Sequence, residues 1–294
     1  PHSLDRSATF QLESFVKIFG GFLGNETSSS QREWENNHTV LSGEIGIVGE
    51  VTDNSYHIVT GSGADIYTVL DGFTITGSYS TYEDDMGGGG MYNMNGSPTL
   101  NQLTFMNNQA CRGGGMYNEE SSPVMTNITF SDNIAFGSGG GMYNLNSNPS
   151  LTNVTFSNNQ TQPPANVTGS RGGGMSNLLS NPVLTNVTFL ENLGFEGGGM
   201  NNDLSSPILT NVAFICNTAD ATGGDGGGGM RNNESSPILT NVTFSSNHSV
   251  KAGGGMYNGS YSNPVLTNVT FFNNSASLVG GGIMLSDNSI LMNS

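Results

Sequence analysis

The amino-acid sequence predicts an all-β fold: a right-handed parallel β-helix, or solenoid, with three short strands per coil. Three observations lead to this prediction: an excess of Gly and Asn, a recurring Gly-Gly-Gly-Met motif, and a repeat in which only one half keeps its length. The 294-residue chain contains 43 Gly and 38 Asn. Both residue types disfavour helices and are depleted in ordinary strands. A helical bundle or an ordinary β-sandwich is therefore not expected.

The charge balance excludes two classes of partner. The chain has 7 Lys+Arg against 23 Asp+Glu, a formal net charge of −16. So few cations cannot neutralise many phosphates, and the chain has no polybasic patch for an anionic membrane. No apolar run approaches the roughly 18 residues that span a bilayer. We expect no nucleic-acid partner and no membrane insertion by this segment.

Each repeat has a fixed half and a variable half. Asn follows two residues after each Met, and Phe follows seven residues after the next Pro; an eighth copy has Ile283 in place of Met. Met to Phe spans 14 residues in six copies and 15 in the seventh, whereas Phe to the next Met or Ile spans 11 to 19. Residues stacked on their counterparts cannot shift, but a loop in solvent can change length at little entropic cost. The Met and Phe residues are Met91, Met116, Met142, Met175, Met200, Met230 and Met256, and Phe105, Phe130, Phe156, Phe189, Phe214, Phe244 and Phe271.

The pattern within one copy predicts which side chains face inward. Val154 and Phe156 alternate with Thr155 as in a half-buried strand, but Leu151 is out of phase. This change of phase requires a bend between Leu151 and Val154. Asn153 is the expected position of the bend, because Asn tolerates the left-handed backbone conformation. Coils about 4.8 Å apart would stack Phe on Phe, Met on Met and Asn on Asn, with amide ladders and Gly triplets at tight corners.

We expect one domain, residues 1–294. Residues 1–87 form irregular first coils, and residues 88–294 form seven Gly-Gly-Gly-Met repeats and a partial eighth. In the first part, Gly72 takes the bend position and Ile75 the Phe position. Further strands are expected at 16–19, 39–41 and 56–59, with Trp34 in a longer excursion. The sequence stops partway through a coil, which leads us to expect a longer solenoid or head-to-tail stacking into filaments.

Two sets of motifs resemble bacterial surface proteins. The Gly-Gly-Gly-Met motif and seven Phe-x-x-Asn motifs are similar to the paired repeats of the chlamydial polymorphic outer membrane proteins, which have an Ala-containing form of the Gly motif. Residues 16–43 resemble the N-terminal part of large bacterial right-handed β-helix surface proteins. The resemblance implies a non-enzymatic structural or adhesive protein, extracellular or at the cell surface. Its partners would be further copies stacked end to end, an extracellular glycan or a surface protein. The seven motifs end at Asn108, Asn133, Asn159, Asn192, Asn217, Asn247 and Asn274.

A carbohydrate-binding module is an alternative function. The residue between Met and Asn varies, which predicts that it faces outward. Tyr92, Tyr117, Tyr143 and Tyr257 would form an aromatic strip suited to sugar rings. Ser176, Asn201 and Arg231 interrupt this strip, so scattered surface tyrosines are the competing interpretation.

Polysaccharide-active enzymes of this fold are the other alternative. The densest acidic cluster is Glu83-Asp84-Asp85, but adjacent strand residues point to opposite faces. The four His residues are scattered, and we predict no catalytic residues. Glu83, Asp84, Asp85 and Asp225 are candidate calcium ligands, with solvated loop acids as the competing interpretation; no other cofactor is expected.

The two cysteines lie in different repeats. Cys111 follows Phe105, and Cys216 follows Phe214 four repeats later. Four rungs are about 19 Å at the strand spacing of a sheet, beyond the roughly 7 Å limit for a disulfide. We expect no bond between them.

Overall fold

The protein is a stack of coils, each of which passes through parallel sheets. The computed structural model describes residues 5–84, 87–164, 169–220, 224–285 and 292–293. The named strand pairs are all parallel and join successive coils in three sheets, the third of which begins at Gln109–Ala110. This confirms the predicted all-β parallel β-helix with three strands per coil. In the described part of the chain, the helical segments are two 3₁₀ turns, Ser29–Gln31 and Val51–Asp53, and no helix is long and apolar enough to span a bilayer.

The strands recur from coil to coil, and sheet 2 has two short strands instead of one in each of the first three coils. Sheet 1 contains Phe10–Gln11, Val59–Thr60, Met91–Met94, Met116–Glu119, Met142–Leu145, Met175–Leu178, Met200–Asp203, Met230–Asn233, Met256–Asn258 and Ile283–Leu285. Sheet 2 contains Lys17–Phe19, Thr39–Ser42, Val69–Asp71, Phe73–Thr76, Thr99–Asn101, Thr104–Met106, Val124–Ser131, Ser150–Ser157, Val183–Leu190, Ile208–Ile215, Ile238–Ser245, Val265–Phe272 and Met292–Asn293. Sheet 3 contains Gln109–Ala110, Ile134–Ala135, Gln160–Thr161, Leu193–Gly194, Thr218–Ala219, His248–Ser249 and Ser275–Ala276.

The bend within sheet 2 lies where the sequence predicts it. Asn153 has a φ of 56°, and its equivalents in the other repeats, one of which is Gln102, have values between 51° and 56°. Gly72, with a φ of 83°, takes the same role in an early coil. The bend amides also form an exposed ladder that was not predicted: Nδ2 of Asn153 donates to Oδ1 of Asn127 at 3.1 Å, and later coils repeat this contact.

Phenylalanine stacking forms the centre of the core. Phe rings in successive coils have centroids 4.7–4.9 Å apart and planes within 3–8° of parallel. The first six are fully buried, and Phe271 is partly buried. Met pairs with Met in sheet 1, and Ile283 pairs with Met256. The predicted interior Phe column is confirmed. Its members are Phe105, Phe130, Phe156, Phe189, Phe214, Phe244 and Phe271.

Two buried Asn ladders run beside the apolar columns. One uses the Asn of Met-x-Asn: Nδ2 of Asn118 donates to Oδ1 of Asn144 at 2.9 Å. The other uses the Asn of Phe-x-x-Asn: Nδ2 of Asn159 donates to Oδ1 of Asn192 at 3.0 Å and to the Phe130 carbonyl at 2.9 Å. Buried amides would be costly without these partners, so each ladder favours a single register between coils.

The early coils differ from the sequence prediction in their boundaries. The strand expected at 56–59 is Val59–Thr60, because Tyr56 and His57 lie in the preceding loop. Those expected at 16–19 and 39–41 are Lys17–Phe19 and Thr39–Ser42. Ile75 pairs with Phe105 as predicted. Cys111 and Cys216, both in the described part, are not joined by a disulfide.

Candidate functional site

The outward-facing column of sheet 1 collects the side chains that vary between repeats. Tyr92, Tyr117 and Tyr143 lie in register. Their ring centroids are 5.5 Å and 5.4 Å apart, and His57 stacks on Tyr92 at 5.1 Å. The column continues through Ser176, Asn201, Arg231 and Tyr257. The strand register therefore places these side chains in one column.

The tyrosine column is covered for part of its length. Tyr117 is 7% exposed and Tyr143 8%, whereas Tyr92 and Tyr257 are half-buried. The loop before the first Gly triplet packs against the column: a Cβ on Gly87 would lie 2.6 Å from Cδ2 of Tyr117. Burial, together with nearby Glu119, raises the pKa of the Tyr117 hydroxyl. The expected open strip is thus wrong for two of its four rings; sugar binding by these tyrosines stays a prediction.

A buried ion network occupies the next part of the column. Arg231 is 3% exposed. Its Nη2 is 2.7 Å from Oδ2 of Asp225, and its Nη1 is 2.9 Å from Oδ1 of Asp203. Its Nε lies 3.2 Å from Oε2 of Glu196, without the alignment of a hydrogen bond. Arg171 reaches the same two acids, at 2.7 Å to Glu196 and 3.2 Å to Asp203.

This network links neighbouring coils through charged pairs. Burial by itself raises the pKa of Asp203, but Arg231, Asn201 and Arg171 outweigh it and the pKa is lowered. Burial disfavours the charged form of Arg231, but Glu196 and Asp203 outweigh it and raise its pKa. A carboxylate held ionised by two guanidinium groups is a poor proton donor at neutral pH.

Sequence reasoning missed the network, although one signal was present. Arg171 and Glu196 each stand immediately before a Gly triplet, so the register places them side by side, and they form an isolated β-bridge. Asn201 and Arg231 stand at the column position that holds Tyr in other repeats, and Asp203 follows Asn201 by two residues in the same strand. Opposite charges at equivalent repeat positions therefore indicate an ion pair between coils.

The calcium candidates are not brought together. Oδ2 of Asp84 accepts hydrogen bonds from the Thr81 backbone nitrogen at 2.7 Å and its hydroxyl at 2.9 Å. Asp225 forms an ion pair with Arg231, and both lie several coils away from Asp84. Asp85 lies outside the described residues. Among the residues that the structure describes, no three His, Cys, Asp or Glu side chains are grouped to hold a metal ion. Calcium binding near Glu83 stays a prediction.

Comparison with known families adds one match. The family model for the Chlamydia polymorphic membrane protein (Chlamydia_PMP) repeat matches residues 268–286. This segment holds Phe271, Asn274 and the triplet before Ile283, which are the motifs that stack in every repeat. Comparisons with curated proteins and with solved structures gave no match. The chain therefore carries a repeat like that of the Chlamydia polymorphic membrane proteins, within a parallel β-solenoid.

Proposed function

We propose that this protein is a non-enzymatic structural and adhesive solenoid, extracellular or attached to the cell surface. The observation that carries the proposal is the unbroken Phe column: stacking is the same between Phe156 and Phe189, across the longest loop, as between Phe130 and Phe156. Such a column makes a stiff rod that holds its loops at fixed spacing. The resemblance of one repeat to a membrane-protein repeat of Chlamydia supports a surface location.

Location and adhesion are tested separately. Antibody labelling of intact cells that produce the protein is expected to reveal it without permeabilisation. Labelling only after permeabilisation would contradict the surface role. Beads coated with folded protein are expected to attach to at least one of a panel of cell surfaces and matrix proteins, and beads coated with heat-unfolded protein are not. Equal attachment by both preparations would contradict specific adhesion.

Head-to-tail stacking is a finer form of the same proposal. From Met91 onward, successive coils present the same Phe, Met and Asn positions to one another. A coil of another copy can therefore pair with the last of them by the same parallel hydrogen bonding. Contacts of this heterologous kind grow open fibres. Electron microscopy at increasing protein concentration is expected to show rods that lengthen. Short rods of one length at every concentration would contradict stacking.

A further inference from the structure

A groove lies on the outer face of sheet 2, in the first three coils and outside the tyrosine column. It has a volume of about 420 Å³. We name it the Trp34 groove; Trp34, Glu35, His38, Thr74, Gln102 and Thr104 are among its lining residues. The volume is within the range of about 300–1,000 Å³ that is typical of small-ligand sites.

The wall of the groove is built by the excursion between Lys17–Phe19 and Thr39–Ser42. Arg32 anchors this excursion through an ion pair of 2.7 Å with Asp71, and the two side chains are only 13% and 10% exposed. Gly21 allows the backbone of Trp34 to approach closely: a Cβ at Gly21 would lie 2.6 Å from Trp34 Cα. Trp34 is therefore held in place before any ligand arrives.

The floor is formed by three residues of successive coils. Val40 pairs with Thr74, and Thr74 pairs with Thr104. Val40 is 52% exposed, and both threonines are half-buried. Two rungs at the strand spacing of a sheet span about 9.6 Å, the length of two linked sugar rings.

Polar groups at the rim are left available to a ligand. Oε1 of Gln102 accepts a hydrogen bond from Nη2 of Arg32 at 3.0 Å, which leaves the amide nitrogen of Gln102 as a donor. The exposed side chains of Glu35 and His38 make no hydrogen bond or ion pair within the described part of the chain. The groove thus combines an indole wall and a floor of Val and Thr side chains with donors and an acceptor at its edge.

We propose that the Trp34 groove binds an uncharged disaccharide unit of a glycan, with one pyranose ring packed on the indole of Trp34. A pyranose has apolar C–H faces and a hydroxyl-bearing edge, which matches an aromatic wall with Glu35, His38 and Gln102 at the rim. Glu35 and the net charge of −16 disfavour acidic sugars. Sugar binding in solution does not depend on the surface role proposed above, so either proposal can fail alone.

The experiment uses the fluorescence of Trp34, which is the chain's one Trp. The 294-residue protein is titrated with cellobiose, lactose and N,N′-diacetylchitobiose, and with digalacturonate as an acidic probe. At least one neutral disaccharide is expected to change the emission saturably, and calorimetry is expected to give the same Kd. Digalacturonate is expected to bind at least about tenfold more weakly, a difference of about 1.4 kcal/mol.

Variants separate stacking from folding. Trp34→Ala is expected to lower the calorimetric affinity at least about tenfold, Trp34→Phe to retain part of it, and Glu35→Gln to weaken it. Tyr82→Ala, which removes an exposed ring outside the groove, is the matched control and is expected to change nothing. Circular dichroism checks that each variant is folded. The proposal is overturned if no neutral disaccharide binds, if digalacturonate binds best, or if folded Trp34→Ala and Trp34→Phe bind as the wild type does.

Discussion

The side-chain nitrogen of Asn133 donates a hydrogen bond of 2.9 Å to Oδ1 of Asn159 in the next coil, and the backbone N–H of Asn133 donates to the same oxygen at 3.2 Å. Nδ2 of Asn133 also donates to the Phe105 carbonyl of the preceding coil at 2.9 Å. Both Asn residues are fully buried. One amide therefore satisfies backbone groups at the turn and connects three coils.

We predict that Asn159→Ala destabilises the protein strongly. It removes the acceptor for the Asn133 N–H and the donor to the Phe130 carbonyl. Each buried group left without a partner costs about 1–3 kcal/mol. Asn153→Gly is the control, because it removes only an exposed ladder amide, and Gly adopts the φ of 56° without strain. Chemical denaturation gives the free energy of unfolding of both variants. Equal losses of this free energy would contradict a special role for the buried ladder.

Gly115→Ala is expected to disrupt the corner between coils. A Cβ there would lie 2.6 Å from the Gly141 carbonyl oxygen and 2.8 Å from Cδ1 of Phe130. Gly282→Ala places a methyl at the equivalent triplet position, where the nearest atom among the described residues is Cβ of Phe271 at 3.6 Å. We expect a large fall in the thermal midpoint for the first variant and little change for the second. Similar thermal midpoints for the two variants would show that the close contact between coils does not require Gly at position 115.

Arg231 and Arg171 contact the same two acids but differ in exposure, with side chains 3% and 35% exposed. Arg231→Ala leaves Glu196 and Asp203 buried beside one remaining Arg, and losing a partner of a buried pair costs about 3–5 kcal/mol. Arg171→Ala is expected to cost under about 1 kcal/mol because solvent screens its pairs. Denaturation curves compare the two, and a larger loss for Arg171→Ala would contradict this account.

The stability of the protein is expected to fall in mild acid because of His57. Burial lowers the pKa of His57 from 6.5, although its hydrogen bond to Gly88 opposes this. The folded state therefore disfavours the protonated ring, so the His57 contribution to stability is complete above pH 6.5 and is lost as the pH falls below it.

The His57 prediction is tested by measuring the free energy of unfolding between pH 7 and about 5. His57→Gln is expected to flatten this pH dependence. His248→Gln, the same substitution at a half-buried position where the ring contacts the Ser275 hydroxyl at 2.9 Å, is the matched control variant. An unchanged slope in His57→Gln would show that other groups cause the loss.

The repeat allowed much of the core to be predicted without coordinates. A constant spacing from Met142 to Phe156 in one copy and from Met175 to Phe189 in the next implies a constant environment, so inward Phe, Met and Asn columns and the bend at Asn153 could be predicted. The early coils lack this repetition. The strand at Val59–Thr60 was placed too early for that reason.

The loops that cover the coils were not predictable in the same way. Each has its own length and sequence, so the burial of Tyr117, the pairing of Arg231 with Asp225 and the groove beside Trp34 depend on contacts between segments with no shared pattern. The outward direction of Tyr117 was predicted from the variation of its position between repeats, but its exposure could not be predicted in that way.

The amino-acid sequence by itself determined the stacking register, because identical side chains in successive coils gain their contacts and hydrogen bonds only when aligned. The tertiary structure alone decided which outward residues reach solvent. Strand parity is a local property of the backbone, whereas exposure depends on how distant loops pack over it.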